Sequence, residues 1–240
     1  MTAPYWLNIH DPTDFPDVNL AMTEPDGLLA IGGDLTVKRL LTAYQKGIFP
    51  WYNENQPILW WSPDPRAVLF PEQLKVSKSL RRTIRKQMFT VTFDKAFAEV
   101  IQACAEPRPY QNGTWISNEM REAYIRLHKL GHAHSVECWQ NDKLVGGLYG
   151  IAIGQVFFGE SMFSRVTDAS KVGFVYLVRH LQAHTYHLID CQVSSAHLES
   201  LGASDIDRHE FIRLLTRYCQ KQGWEGDWVI DPAIEQTILR

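Results

Sequence analysis

"SVECWQNDKLVGGLYGIAIGQVFF" (residues 135–158) decides what kind of fold this chain makes. Ser135–Trp139 reads as a strand, Gln140–Asp142 as a turn, and Lys143–Ile151 as a second strand. After a break at Gly154, Gln155–Phe158 reads as a third. Consecutive strands joined this closely form an antiparallel meander.

Helical periods surround the meander. Downstream, Ala169 to about Ala183 is expected to be a helix, His187–Val193 a short apolar strand, and His209–Gln220 a closing helix. Upstream, Glu119–Leu130 carries Met120, Ala123, Tyr124 and Leu127 on one face and stops at Gly131. Asp94 is placed to cap a helix in which Phe97, Val100, Ile101 and Cys104 follow the amphipathic period. Phe89–Phe93 and Val68–Phe70 read as strands and Ser77–Lys86 as a basic helix. The pattern is α+β, with helices packed on one mixed sheet.

Nearer the N-terminus, Thr36 can cap a helix running to Gln45, in which Leu40, Leu41 and Tyr44 share a face, with Gly47 ending it. The stretch "FPWYNENQPILWWSPDPR" (49–66) follows. Its prolines at 50, 57, 63 and 65 argue against a long helix and its aromatics against a loose linker. It reads as a rigid connection with a boundary near Ser62, giving a small N-terminal domain (1–62) and a larger domain (63–240).

The net charge of −3 over 240 residues does not mark a nucleic-acid binder, so any polyanion site has to be a local patch. No apolar run approaches the roughly 18 residues of a membrane span. Met1–Val37 lacks Lys and Arg, unlike a secretory signal. Four scattered cysteines without a C-x-x-C pair suit reduced thiols, so a cytoplasmic protein without membrane partners is expected.

Several residues carry candidate chemistry. Glu160 sits among aromatic and thioether side chains in "FFGESMF" (157–163), where a carboxylate needs a partner. "KVSKSLRRTIRK" holds Lys75, Lys78, Arg81, Arg82, Arg85 and Lys86. Four of them (78, 81, 82, 85) share a helix face suited either to phosphates or simply to solvent. Trp51, Trp60, Trp61 and Trp115 are candidates for stacking an unpaired base as well as for core packing. Asp190 and Gln192, two apart on a strand, share a face and want polar partners, while Cys191 between them points away and reads as inert. The histidine groups lack a suitably spaced Glu or Cys, so no metal is expected. No phosphate-binding glycine loop follows a strand, and the pyrophosphate loop of acyl-CoA transferases is missing too, so either the donor differs or an acyltransferase reading of the meander is wrong; no cofactor is expected.

The strings "EPDGLLAIGGDL" (24–35), "GIFPWY" (47–52), "LWWSPDPRAVL" (59–69), "GTWI" (113–116), "GHAHSVE" (131–137), "GGLYG" (146–150), "GESMFS" (159–164), "DCQ" (190–192) and "HLESLGA" (197–203) closely resemble the bacterial leucyl/phenylalanyl-tRNA–protein transferases. The likeness keeps one order from about Glu24 to Leu215. It implies an enzyme that moves Leu or Phe, and less readily Met, from aminoacyl-tRNA to the α-amine of proteins with N-terminal Arg or Lys, marking them for N-degron degradation. It also implies a larger domain with an acyl-CoA N-acyltransferase-like fold that needs no CoA.

By position, the resemblance assigns Trp51 and Trp115 to the donor's terminal adenosine. Leu148, Phe157, Met162, Phe174 and Ile189 are assigned to the amino-acid pocket, Glu160 to the active site, and Asp190 with Gln192 to a catalytic pair. The basic helix would then meet tRNA phosphates. Gln192 cannot take a proton, so it orients the amine or the ester. Asp190 holds the Gln192 amide, or accepts the proton directly or through the adenosine hydroxyl; the residues leave these open. Glu160 is expected to face the cationic acceptor, or else to pair with an Arg such as Arg165. A monomer is expected. Two rivals are a cell-wall peptide ligase using aminoacyl-tRNA on the same fold and a non-catalytic tRNA-binding module.

Overall fold

A computed structural model of the chain describes residues 3–107 and 116–239. In chain order its elements are β1 (Tyr5–Leu7), β2 (Leu28–Gly32), α1 (Val37–Gln45), β3 (Phe49–Pro50), β4 (Leu59–Trp61) and β5 (Arg66–Leu69). Then come α2 (Lys78–Arg85), β6 (Thr90–Phe93), α3 (Phe97–Cys104), α4 (Asn118–Lys129), β7 (Ala133–Gln140), β8 (Lys143–Ile153) and β9 (Val156–Ser164). The chain ends with α5 (Ala169–Ala183), β10 (Leu188–Gln192), α6 (Ala196–Ser200), β11 (Ser204–Ile206), α7 (Arg208–Tyr218) and α8 (Pro232–Leu239).

The fold is α+β. A small sheet runs in the order β1-β2-β4-β3 and a large mixed sheet in the order β11-β5-β10-β9-β8-β7-β6. The expected meander is its centre: β7, β8 and β9 pair antiparallel, whereas β10 lies parallel to β9. A parallel neighbour requires a crossover, and α5 supplies it. Helices α3 and α4 pack on one face of the sheet, and α5, flanked by α2 and α8, covers the other. One apolar cluster joins Leu29, Leu40 and Trp60 of the N-terminal segment to Tyr124, Phe158 and Leu188. The opposite cluster gathers Leu80, Ile84, Val175, Leu181 and Trp228. Each fully buried side chain of this size adds about 1.5–3 kcal/mol.

Three expectations need correction. The stretch 49–66 is no mere connection: Phe49–Pro50 and Leu59–Trp61 pair as β3 and β4. Pro50 is tolerated there because β3 is the sheet's edge, where a missing N–H breaks no ladder. Asp94 caps no helix; α3 starts from Ala96 without a side-chain cap. Instead the Asp94 carboxylate accepts from Ser135 N–H and meets the His134 ring at 2.7 Å. Finally, β9 runs to Ser164 rather than stopping at Phe158, so Glu160 lies within a strand.

Candidate active site

The site is built from two irregularities on adjacent strands. Along β9 and β8, Ser161 pairs with Tyr149 and Gly159 with Gly150, leaving Glu160 as the extra residue of a bulge. Along β10 and β5, Asp190 pairs with Val68 and Gln192 with Ala67, leaving Cys191 as the extra residue. Bulges re-aim side chains and end regular pairing. Here the parallel β9–β10 ladder stops at the Phe158–Asp190 pair, and just past it the Gln192 amide donates to Glu160 Oε1 at 2.8 Å. Gly150 has to lack a side chain, since a Cβ would stand 2.3 Å from the Phe158 carbonyl oxygen.

Glu160 has two further donors. Tyr44 of α1 donates to Oε1 at 2.8 Å and Tyr124 of α4 to Oε2 at 2.7 Å, with the two phenols 2.5 Å apart. The N-terminal segment therefore supplies part of the site. Burial pushes the Glu160 carboxyl up to about 7; the charge of Asp190 adds to this, and the bonds from Tyr124, Tyr44 and Gln192 oppose it. Burial, and then the charge of Glu160, holds Tyr44 and Tyr124 well above the usual phenol range, so both remain O–H donors. The phenols bring two protons to three oxygen–oxygen contacts, and a proton on Glu160 supplies the third. Such a ring accepts Glu160 either charged or neutral, and a carboxyl poised near neutrality is suited to accepting and returning a proton.

Asp190 is held differently. Its side chain is fully buried, and Arg66 grips it with two bonds, Nε to Oδ1 at 2.8 Å and an Nη2 contact to Oδ2 at 2.7 Å. Oδ1 also accepts the Gln192 backbone N–H at 2.9 Å. The carboxylate thus holds the Gln192 backbone, in the left-handed region at φ 63°, while the amide goes to Glu160. Arg165, the alternative partner for Glu160, instead pairs with Glu106 at 2.6 Å. Burial, reinforced by the charge of Asp190, pushes the Cys191 thiol far up, which leaves it a poor nucleophile.

A cavity of about 800 Å³ opens beside these groups. Its wall contains Leu148, Phe157, Met162, Phe174 and Ile189 together with Glu160 and Asp190. All five residues of the expected apolar pocket therefore meet at one place, and a side chain of Leu or Phe size fits such a space. Trp51 is not part of this wall; it is half-exposed beside Trp61, their rings 5.6 Å apart and edge-to-face. Trp115 lies outside the described residues. Lys75, Lys78, Arg81, Arg82, Arg85 and Lys86 are exposed on and around α2, while Leu80 and Ile84 of that helix face the core. Among the described residues no salt bridge engages Lys75, Lys78, Arg81, Arg82 or Lys86. His134 and His184 stack on Trp228 and Trp224, which accounts for two of the histidines as packing.

Sequence reading missed Tyr44 and Tyr124, taken only as inward-facing apolar positions, and Arg66 altogether. Arg66 did carry a signal: a charge opening an all-apolar strand requires a buried acid elsewhere.

The chain is similar to known proteins over nearly its whole length. Residues 68–216 match the family described as leucyl/phenylalanyl-tRNA protein transferase, and residues 33–64 match that family's N-terminal domain. The leucyl/phenylalanyl-tRNA–protein transferase of Cellvibrio japonicus (strain Ueda107) is 59% identical over 95% of this chain and 97% of its own. That of Stutzerimonas stutzeri (strain A1501) is 58% identical over 93% of this chain and 98% of its own. Among solved structures, L-PGS from Bacillus licheniformis is a remote likeness, with a TM-score of 0.40 and 10% identity over 70% of this chain and 54% of that one.

Proposed function

The chain belongs to the leucyl/phenylalanyl-tRNA–protein transferase family, and from that premise we propose that it moves Leu or Phe, and less readily Met, from aminoacyl-tRNA to the α-amine of proteins beginning with Arg or Lys. As a member it is an aminoacyltransferase. The new N-terminal residue then marks its acceptor for N-degron degradation. The enzyme acts as a monomer in the cytoplasm, and among its described residues no helix is long and apolar enough to cross a membrane. Its division into residues 1–62 and 63–240 belongs to the same reading, with the two sheets as support.

The observation that carries the proposal is Glu160, bonded to Gln192, in the wall of the apolar cavity. The donor's side chain enters that cavity, and its ester carbonyl lies at the Gln192 end. The acceptor's nitrogen attacks the carbonyl carbon, a peptide bond forms, and the ester bond to the adenosine hydroxyl breaks. The amine, with a reference pKa of about 7.7–8.0, needs only a weak base. Glu160 takes the amine's proton and the departing adenosine oxygen receives one, so the carboxylate is regenerated. The second amide hydrogen of Gln192 is available to the carbonyl oxygen as negative charge develops there. Asp190 contributes by holding the Gln192 backbone. The charge of Glu160 also attracts the basic acceptor end. Alignment of amine and ester accounts for most of the acceleration, because aminolysis of an ester is already downhill. Stacking on Trp51 and Trp115 and phosphate contacts along α2 would hold the tRNA end.

Labelled leucyl-tRNA incubated with an Arg-initiated peptide tests the reading. Transfer is expected, and it should be lost in Glu160→Gln. Donor binding without transfer would favour a tRNA-binding module, and transfer only to a cell-wall peptide would favour the ligase.

A further inference from the structure

The guanidinium of Arg66 is fully buried against Phe49 and Phe211, its Cζ 4.7 and 4.6 Å from their ring centroids. Two of its nitrogens grip Asp190, and the third donates to the Gly47 carbonyl at 3.2 Å. These two anchor points lead to the same atom. Asp190 Oδ1 holds the Gln192 N–H, and Gln192 donates its amide to Glu160 Oε1. Gly47 N–H closes the turn after α1 onto the Tyr44 carbonyl at 3.0 Å, and Tyr44 donates its hydroxyl to Glu160 Oε1. Gly47 occupies a backbone conformation that favours glycine. Its φ is +76°, and a Cβ there would lie 2.6 Å from Ile212 Cδ1.

We propose that Arg66 is a positioning residue for the transfer reaction: one guanidinium, by bonding Asp190 and Gly47 together, sets both groups that donate to Glu160 Oε1. The inference rests on the reading of Glu160 given above. Lysine cannot substitute, because a single ammonium has neither the fork for Asp190 nor the third nitrogen for Gly47. The competing view is that Arg66 only neutralises a buried acid, as buried ion pairs do without further purpose.

The two views differ in what reaches Glu160. Hydrogen bonds to a carboxylate favour its charged form, so loosening Tyr44 and Gln192 should raise the pH at which Glu160 gives up its proton. The other groups facing Glu160 are Tyr124 from α4, Tyr149 from β8 and the Asp190 charge from β10. Beside Asp190 stand the thiols of Cys191 and Cys219, both held neutral by burial. Arg66→Lys removes no atom of Tyr124, Tyr149 or the two thiols, and by keeping a positive charge beside Asp190 it leaves that carboxylate's charge balanced while removing the fork that holds it.

The test follows the infrared carbonyl band of protonated Glu160, assigned by its absence in Glu160→Gln, across a pH titration of the wild type and Arg66→Lys. It is run alongside kcat and KM for an aminoacyl-adenosine donor. The expected result is a midpoint moved alkaline by about half a pH unit or more, with kcat down on the order of tenfold and donor KM within about twofold. A folded Arg66→Lys protein with wild-type midpoint and kcat overturns the proposal and leaves Arg66 a structural ion. If Arg66→Lys does not fold, Phe211→Leu, which loosens one side of the guanidinium while keeping the ion pair, is read by the same criteria. If the wild type transfers nothing to Arg-initiated peptides, the functional reading falls, whereas a shifted midpoint in Arg66→Lys would still show that Arg66 sets the groups bonded to Glu160.

Discussion

Glu160→Gln should change how stability depends on pH, by an amount set by how far burial has moved the carboxyl. That group rises from 4.5 to about 7 on folding. At 1.36 kcal/mol per pH unit the interval is worth about 3 kcal/mol. The sign follows from proton counting. Below pH ~4.5 both native and unfolded chains hold the proton, and Glu160 contributes nothing to the pH dependence. Between about 4.5 and 7 the native chain keeps a proton that the unfolded chain has released, so stability falls as pH rises. Above ~7 the whole cost of about 3 kcal/mol is present, a large share of a typical 5–15 kcal/mol. Gln titrates nowhere in this range. Its amide meets the Tyr and Gln192 donors less well, but that penalty is constant with pH. Urea unfolding of both proteins at about pH 5, 6, 7 and 8 therefore isolates Glu160, because every other group cancels in the difference. Because the series starts just inside the window, the variant should gain about 2–3 kcal/mol on the wild type between pH 5 and 8, roughly 1–1.5 M urea for an m near 2 kcal/mol/M. Parallel curves would refute the reasoning: Glu160 would then titrate as an ordinary carboxyl, and its place as proton acceptor near neutrality would go.

Neutralising Lys78 and Arg82 together should weaken use of aminoacyl-tRNA and reduce the slope of log K against log salt by about 0.7–0.9 per lost phosphate contact, while leaving an aminoacyl-adenosine donor unaffected. Equal loss for both donors would mean that α2 matters for folding alone. Val or Ile should be transferred about 10–200-fold less efficiently than Leu, since rejection by pocket shape is worth about 1–3 kcal/mol. Met162→Ala should admit bulkier donors, measured as relative kcat/KM. Gly150→Ala should cost about 1–3 kcal/mol in thermal or urea unfolding, because the new methyl meets the Phe158 carbonyl and the Phe157 ring, which stand 2.3 and 2.5 Å from an ideal Cβ.

Local chemistry made much of the fold legible. Ala169–Ala183 forms over the expected residues, and Thr36 caps α1 as expected, because a hydroxyl before an apolar period leaves few alternatives; Ser77 and Ser117, not singled out from the sequence, cap α2 and α4 in the same way. The inward faces of α3 and α4 were readable from a period of 3.6. The small sheet was not, since its strands are two to five residues long and proline-flanked, too short for any period to register. β9 was cut short because Gly159–Ser161 contributes no alternation, and the extra residue of a bulge erases the period on which strand reading depends.

By itself the sequence singled out the isolated Glu160, the Asp190–Gln192 pair and the basic face of α2, and its resemblance to a family named the five apolar positions that the structure brings to one cavity wall. Only the tertiary structure decided who holds whom. The side-chain amide of Gln192 reaches Glu160 rather than Asp190, Asp190 is gripped by Arg66, 124 positions away, and two tyrosines 80 positions apart share one carboxylate. Residue type and local spacing fix what a side chain can donate or accept. Which partner it meets is set by strand order and by two bulges that turn Glu160 and Gln192 toward each other, and neither leaves a mark in any short stretch of sequence.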